Sequence, residues 1–487
     1  MNTIQFVSTI LATSVAGTCM AHIDCIPEQI SQQNAHKNTS KQPNIILINI
    51  DDLGWADLGY NGSLYYETPN IDHLHHLGIS FQNAYAGASN SAPSRACMLT
   101  GLYTPRHGVY TVNPTERGKA SDRKLIPCSN NRAVSESFVL LPQALKNAGY
   151  QTCHIGKWHV TEDPLQSGMD TNIGGTKAGH PKSYFSPYKN PALKDGPQGE
   201  YLTERLAKEA VNYIDTISKE KPFFLYYATY AVHTPLQAKA ELIEKYKQKQ
   251  PTKAHNNPIY AAMIETMDQA VGNVMQAVER NGIAENTLIV FTSDNGGAYH
   301  ISRQWPLRAG KGAFYEGGIR EPMIVYMKGK YEGGITYEEP VSQLDFYPTF
   351  AELAGTKLSF KPDGLSLLPL LDKGKTDYLS NRTLYWHFPA YLESVNGDNE
   401  GRDPLFRSRP VSVIRQGDWK LIENFEDGVL ELYNLKKDPS EKYNLSDKYP
   451  KMTKRLYKQL KKWQQETKAA IPTEKNPLYK TQTNTIR

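Results

Sequence analysis

Four polar clusters in this 487-residue chain each follow a short apolar run. Asp51-Asp52 comes after Asn44–Ile50 (NIILINI), and Lys157 with His159 after residues 151–155 (QTCHI). His233 follows 223–230 (FFLYYATY), and Asp294-Asn295 follows 287–292 (TLIVFT). Asp51, Asp52, Asp294 and the amide oxygen of Asn295 are hard donors, which suit calcium or magnesium and not zinc. Arg95, Lys157, Lys311, His159 and His233 are cations or can become so. A hard metal ringed by such groups describes a site for a tetrahedral oxyanion, and sulfate and phosphate esters are the matching substrates. Singly, each cluster has a plainer reading. Asp-Asp or Asp-Asn after a strand is usually a turn or a helix cap, and a histidine near proline usually a satisfied loop residue. Their joint placement carries the chemical reading.

A second stretch, Ser91-Ala92-Pro93-Ser94-Arg95-Ala96-Cys97-Met98-Leu99-Thr100-Gly101, has the same ambiguity. Blandly, 90–95 is a polar turn and a helix starts at Ala96. Chemically, Ser91 precedes a proline that can open a helix. The positive end of that helix, with Arg95 one turn along, faces an anion. Cys97 falls in the apolar part, where a packed thiol is the default.

The elements that must position these groups alternate strand, loop and helix. Apolar residues recur at three and four over 260–278, 206–217, 141–148 and 344–353, and the first, third and fourth of these runs end near a glycine. Residues 70–78 form a short helix capped by Asn70 or Asp72. Residues 161–200, rich in Gly, Pro, Lys and Asp, read as an irregular surface loop. The fold class is therefore α/β, a large mostly parallel sheet sandwiched by helices. Ligand sites in such sheets lie beyond the carboxyl ends of the strands, where all four clusters fall. After about residue 375, short runs at 383–388, 411–415, 419–423 and 430–435 predict a smaller antiparallel sheet. A helix carrying Met452, Leu456, Leu460 and Trp463 follows it. The expected division is a catalytic domain over 43–375 and an α+β subdomain over 376–487.

Residues 4–17 are apolar, too short to span a membrane, and lead through small residues to Ala21. They read as a secretory signal (1–21), followed by a polar linker (22–42), which places the protein in the periplasm or outside the cell. Lipid anchoring through Cys19 fits poorly, and no later segment is apolar enough to span. The net charge of +5 is small and dispersed, which argues against a nucleic-acid partner. If Cys19 leaves with the signal, Cys25, Cys97, Cys128 and Cys153 allow three pairings. Thirty tyrosines against fourteen phenylalanines suit a sugar-handling surface, though only weakly.

Six pieces resemble, in order, the type I sulfatases: Asn44–Gly54, Ser91–Gly101, Gly156–His159 (GKWH), Val232–Pro235 (VHTP), Ser293–Gly297 (SDNGG) and Gly310–Pro322 (GKGAFYEGGIREP). Asp438-Pro439-Ser440-Glu441 with Asn444-Leu445 resembles the family's C-terminal subdomain. The resemblance implies one calcium ion held by Asp51, Asp52, Asp294, Asn295 and the side chain of residue 91. It implies that Ser91 is oxidised to formylglycine, whose hydrate attacks sulfur. Arg95 then supports the nucleophile, and Lys157 and Lys311 clamp the sulfate. His233 protonates the leaving oxygen, and His159 deprotonates the remaining hydroxyl so that sulfate is expelled. A serine in place of cysteine implies a bacterial enzyme served by a radical maturase acting on Ser91. Glu321 stands where the family usually has valine, which reads as a minor change. Exported members act mostly on sulfated polysaccharides or oligosaccharides, algal ulvan among them. His107 and His387 are candidates for sugar contact, each with a structural reading beside it. The rivals are a phosphatase or phosphodiesterase of the alkaline phosphatase superfamily and a non-catalytic sugar-binding homologue.

Overall fold

Every residue of the Asn44–Ile50 strand is buried, and its side chains alternate between two cores. Ile46, Ile48 and Ile50 join one cluster and Ile45 and Leu47 the other. A strand covered on both faces cannot alternate apolar with polar, which explains the unbroken run in the sequence. This computed structural model describes residues 42–397 and 399–480; the expected signal and the linker up to residue 41 lie outside them.

That strand lies inside an eight-stranded sheet. From one edge the order is Ile335–Tyr337, Ile79–Phe81, Met323–Tyr326, Thr287–Ser293, Asn44–Ile50, Phe223–Ala228, Gln151–Gly156 and Thr171–Ile173. The last five run parallel. Met323–Tyr326 is antiparallel to both neighbours. Helices Pro69–Leu77, Leu202–Thr216 and Pro258–Arg280 cover one face. Ser91–Thr100, Leu141–Asn147 and Phe346–Leu353 cover the other. The mostly parallel α/β sandwich expected from the sequence is what forms.

Local differences have local causes. The 70–78 helix begins at Pro69, so Asn70 and Asp72 lie inside its first turn and not at its cap. Thr171–Ile173, inside the expected loop, finds a ladder with residues 153–155 and adds an edge strand. The helix from the Ser91 stretch starts at Ser91 itself, with every residue through Thr100 buried. The tyrosine excess goes to the interior: Tyr65, Tyr85, Tyr184, Tyr226 and Tyr246 are among the largest fully buried side chains.

A four-stranded antiparallel sheet follows, ordered Thr383–Phe388, Val411–Gln416, Trp419–Asn424 and Leu430–Asn434. Leu456, Leu460 and Trp463 of helix Pro450–Glu466 pack on it, in a cluster that also takes in Cys97 and Tyr103. Lys420 joins this part to the helix Glu316–Ile319. Its fully buried Nζ lies 3.0 Å from Glu316 Oε1 and 2.9 Å from Glu441 Oε1. Glu441 Oε2 in turn accepts from the Glu316 backbone N–H at 2.6 Å. Burial pushes Glu441 up, whereas Lys420, Arg415 and Arg320 overcome burial and hold Glu316 low, to about 2. Among the described residues, Cys97, Cys128 and Cys153 form no disulfide. Among the described residues no helix is long and apolar enough to cross a membrane.

Candidate active site

Strand register decides which groups meet. Ile50 pairs with Ser293, so Asp51 and Asp294 leave the sheet side by side. Ala228 pairs with both Asn49 and Gly156, which brings Lys157 and the 229–235 loop out at the same edge. Asp51, Asp52 and Asp294 each offer an oxygen within 4.8 Å of the others, and all three are buried. Asp52 adopts φ +63, and its backbone N–H donates to Asp294 Oδ1 at 3.1 Å. A left-handed aspartate is uncommon and here turns the second carboxylate back into the cluster.

Ser91, the first residue of its helix, brings Oγ to 3.2 Å from Asp51 Oδ1 and 3.1 Å from Asn295 Oδ1. Asn295 Nδ2 donates to Asp52 Oδ1 at 2.8 Å, which turns its amide oxygen towards Ser91. Arg95 lies one turn on, fully buried, with Nε donating to Asp294 Oδ2 at 2.8 Å and Nη1 to the Lys157 carbonyl at 3.0 Å. Its Nη2 has no hydrogen-bond partner among the described residues and lies 3.6 Å from Asp51 Oδ1. Lys157 Nζ reaches both Asp51 oxygens at 2.7 and 2.8 Å, and Lys311 Nζ lies 2.6 Å from Asp52 Oδ2. Three crowded carboxylates, an inward amide oxygen and an unpartnered guanidinium nitrogen suit a small hard cation with an oxyanion beside it.

Burial and the neighbouring carboxylates push Asp51 up against the pull of Lys157. Burial also lowers Lys157. His233 Nδ1 donates to the Thr234 carbonyl at 2.7 Å, so Nε2, 3.5 Å from Asp52 Oδ2, is the atom facing the cluster. Burial, then Lys311, lowers its pKa to about 3. His159, with φ +59 and an unpartnered Nδ1, is driven well below its usual value by burial and then by Lys157 and Arg95.

All of Asp51, Asp52, Ser91, Arg95, Lys157, His233, Asp294, Asn295 and Lys311 converge here, with His159 beside Lys157. The structure does not bring His107 or His387 to the cluster. His107 is 2 % exposed, with Nε2 3.4 Å from Cys97 Sγ and Nδ1 accepting from the Val109 N–H. His387 Nδ1 meets Ser412 Oγ at 2.6 Å and Nε2 the Ala470 carbonyl at 2.8 Å. Both ring nitrogens of each are engaged inside the core.

Sequence reasoning missed what covers the histidines. The Thr176 carbonyl accepts the His159 N–H. A Cβ at Gly179 would lie 2.6 Å from His159 Cε1, so only glycine lets the chain pass that close. His180 stacks on His233 at 6.2 Å between centroids. Tyr184 Oη donates to the carbonyls of Tyr230 and His233. The supposed surface loop is one wall of the site, and its only sequence signal was the spacing of Gly174-Gly175 and Gly179-His180. Behind the carboxylates, Asp57 accepts from the Gly54 N–H, Tyr260 Oη, Ser302 Oγ and Gln304 Nε2, fixing the turn after Asp52.

Glu321 is not minor. It is fully buried, and neither carboxylate oxygen has a hydrogen-bond partner among the described residues. Burial, then Asp294 and Asp52, raises its pKa well above 4.5. It keeps a proton in the fold that it loses on unfolding, so stability falls as pH rises from the ordinary carboxylate value towards its own. Glu321→Val is expected to raise the unfolding free energy by about 1–3 kcal/mol at neutral pH and to flatten that pH dependence. Denaturant midpoints across pH measure both, and an unchanged or lower midpoint contradicts the account.

The family model described as Sulfatase matches residues 43–356, which carry every one of these convergent groups. The chain belongs to the sulfatase family. It is a sulfuric ester hydrolase. A second model, N-sulphoglucosamine sulphohydrolase, C-terminal, matches residues 309–467 of this sulfatase. A sulfatase of Formosa agariphila is 35 % identical over 502 aligned residues, covering 86 % of this chain and 87 % of its own. The human N-acetylgalactosamine-6-sulfatase is 29 % identical, with 89 % and 87 % covered. Among solved structures, Ps i-CgsB in complex with k-i-k-neocarrahexaose is 32 % identical with a TM-score of 0.73, covering 89 % of this chain and 95 % of its own.

Proposed function

We propose that this sulfatase hydrolyses sulfate esters of a carbohydrate at the cluster centred on residue 91, with a calcium ion held by Asp51, Asp52, Asp294, Asn295 and residue 91. The observation that carries the reading is the convergence of three buried carboxylates, three buried or half-buried cations and Ser91 Oγ at one sheet edge. The bound neocarrahexaose of Ps i-CgsB and the named substrate sugar of the human relative support the carbohydrate class. A polysaccharide or oligosaccharide falls within this proposal, ulvan among the candidates. Export with removal of residues 1–21, and a division near residue 375, belong to the same proposal.

The cation, when bound, supplies positive charge beside the nucleophilic oxygen and the sulfate group. Oxidised to formylglycine, residue 91 supplies a hydrated aldehyde with two hydroxyls where serine has one. The chain's own residues do the rest. Lys157 and Lys311 exchange carboxylate partners for sulfate oxygens, and Arg95 orients residue 91 through Asp294 and Asp51. His159 takes a proton on the residue-91 side. His233 holds its proton at Nε2 once an anionic ester sits there, because the added negative charge opposes the effect of burial. An alkoxide needs that proton to leave, whereas a nitrophenolate does not. His233→Asn is expected to lower kcat on an alkyl or sugar sulfate by roughly 10²- to 10⁴-fold and to change turnover of 4-nitrophenyl sulfate far less. Equal losses on both would remove His233 from the acid role.

Mass spectrometry of the residue-91 peptide, from protein made with and without a maturase and assayed in parallel, tests the whole reading. An unmodified serine in fully active protein would sink it. Zinc-dependent hydrolysis of a phosphate ester would favour the phosphatase instead. Calcium should also stabilise the fold, by about 2.7 kcal/mol at a hundred times its Kd, and a chelator should reverse this. A thermal midpoint indifferent to both contradicts the metal assignment.

A further inference from the structure

At the mouth of the site a further cation has no carboxylate of its own among the described residues. Arg407 lies in the strand Phe406–Ser408, which pairs antiparallel with Leu392–Glu393. Leu392 stands opposite Ser408 and Glu393 opposite Phe406, so Arg407 is the extra residue of a β-bulge. Bulges re-aim one side chain and are over-represented beside active sites. Here Nε donates to the Glu393 carbonyl at 3.0 Å and Nη1 to the Lys311 carbonyl at 3.4 Å, which sets the guanidinium next to a residue of the inner cluster. Gly312 makes this approach possible: its φ is +89, and a Cβ there would strike Leu392 Cδ2 at 2.5 Å and press on Arg407 Cδ at 3.4 Å.

Charge sets Arg407 apart. Glu393, whose backbone carbonyl holds Arg407 Nε, commits its carboxylate to Arg117 through contacts of 2.6 to 3.0 Å. Arg407 is half-buried, forms no ion pair among the described residues, and its Nη2 makes no hydrogen bond there. Asp52 is among the charges that act on it, so it lies within electrostatic reach of the catalytic carboxylates. The inner cluster is internally matched, Asp51, Asp52 and Asp294 against Arg95, Lys157 and Lys311. Arg407 adds a positive charge outside that set with no ion-pair partner among the described residues.

We propose that Arg407 binds a second anionic oxygen group of the substrate, a further sulfate or a carboxylate carried near the ester that is cleaved. The proposal rests on the carbohydrate reading above. A guanidinium with a free Nη2 edge, anchored by its other nitrogens to two carbonyls, is pre-organised for such a group, as a flexible ammonium is not.

Calorimetric titration of the Ser91→Ala protein tests this without turnover. The probes are three disaccharides: one with a single sulfate, one with two sulfates, and one with a single sulfate and a uronate carboxylate. The doubly anionic probes are expected to bind roughly 10- to 100-fold tighter than the singly sulfated one, the value of a charged hydrogen bond. Whichever of the two binds tighter identifies the group. Adding Arg407→Gln should bring that ratio near one, and Arg407→Lys should keep part of it. Equal affinity for all three probes, or a ratio that survives Arg407→Gln, overturns the proposal. Release of free sulfate from the same disaccharides by the unaltered, matured enzyme is read separately. A charge-dependent ratio without any sulfate release sinks the proposed function and leaves the anion subsite standing.

Discussion

Replacing Ser91 with alanine is expected to lower kcat/KM on 4-nitrophenyl sulfate by on the order of 10⁶-fold, the scale seen when a covalent nucleophile is removed. The fold should survive. Among the described residues Ser91 Oγ hydrogen-bonds to Asp51 and Asn295, and alanine is tolerated in the first turn of a helix. The useful contrast is Ser94→Ala in the same motif. Ser94 Oγ lies 2.5 Å from the Asp294 carbonyl and 2.9 Å from Gln343 Oε1, so it ties the nucleophile helix to the turn bearing Asp294. Its loss should misplace the carboxylate and weaken calcium binding, a change visible in the metal titration. Ser91→Ala should leave more of the calcium stabilisation in place while activity vanishes. Should Ser91→Ala keep more than a tenth of the activity, the chemistry lies elsewhere.

The second large effect concerns stability. Lys420→Met removes the one cation shared by Glu316 and Glu441, both fully buried. It is expected to cost about 3–5 kcal/mol of unfolding free energy, because a buried charge is left without its partner. Glu441→Gln in the same background should recover part of that by removing one of the two stranded carboxylates. Equilibrium unfolding of the wild type, both single variants and the double variant gives the coupling directly. Additive losses would mean that the three residues do not act as a unit. The arrangement also gives Asp438-Pro439-Ser440-Glu441 a physical meaning. Glu441 reaches back to the backbone of Glu316, within the Gly310–Pro322 segment that supplies Lys311.

The parts of the site legible in the sequence were those attached directly to regular elements. Asp51, Lys157 and Asp294 follow strands whose apolar runs are unmistakable, and parallel register does the rest. Tertiary paths were not legible. Gly179 and His180 look like any polar loop until the chain is seen lying across His159 and His233. His107 and His387 had suitable chemistry, but each sits on an element whose inward face claims it. Arg407 depends on a bulge, and one extra residue in a ladder leaves no trace in composition or period. Glu321 was noticed as a departure, but only burial without a partner turns it into an energetic penalty.

The seating of Ser91 sets a clock. It is 2 % exposed, within a helix whose residues are all buried. No second enzyme can reach its β-carbon once the chain has folded, so under the proposed chemistry oxidation runs in a race with folding, and each molecule enters that race once. The active fraction of a preparation is then decided while the segment is still extended. Folded Ser91 protein incubated with the maturase should show no mass change, whereas a peptide spanning residues 85–105 should.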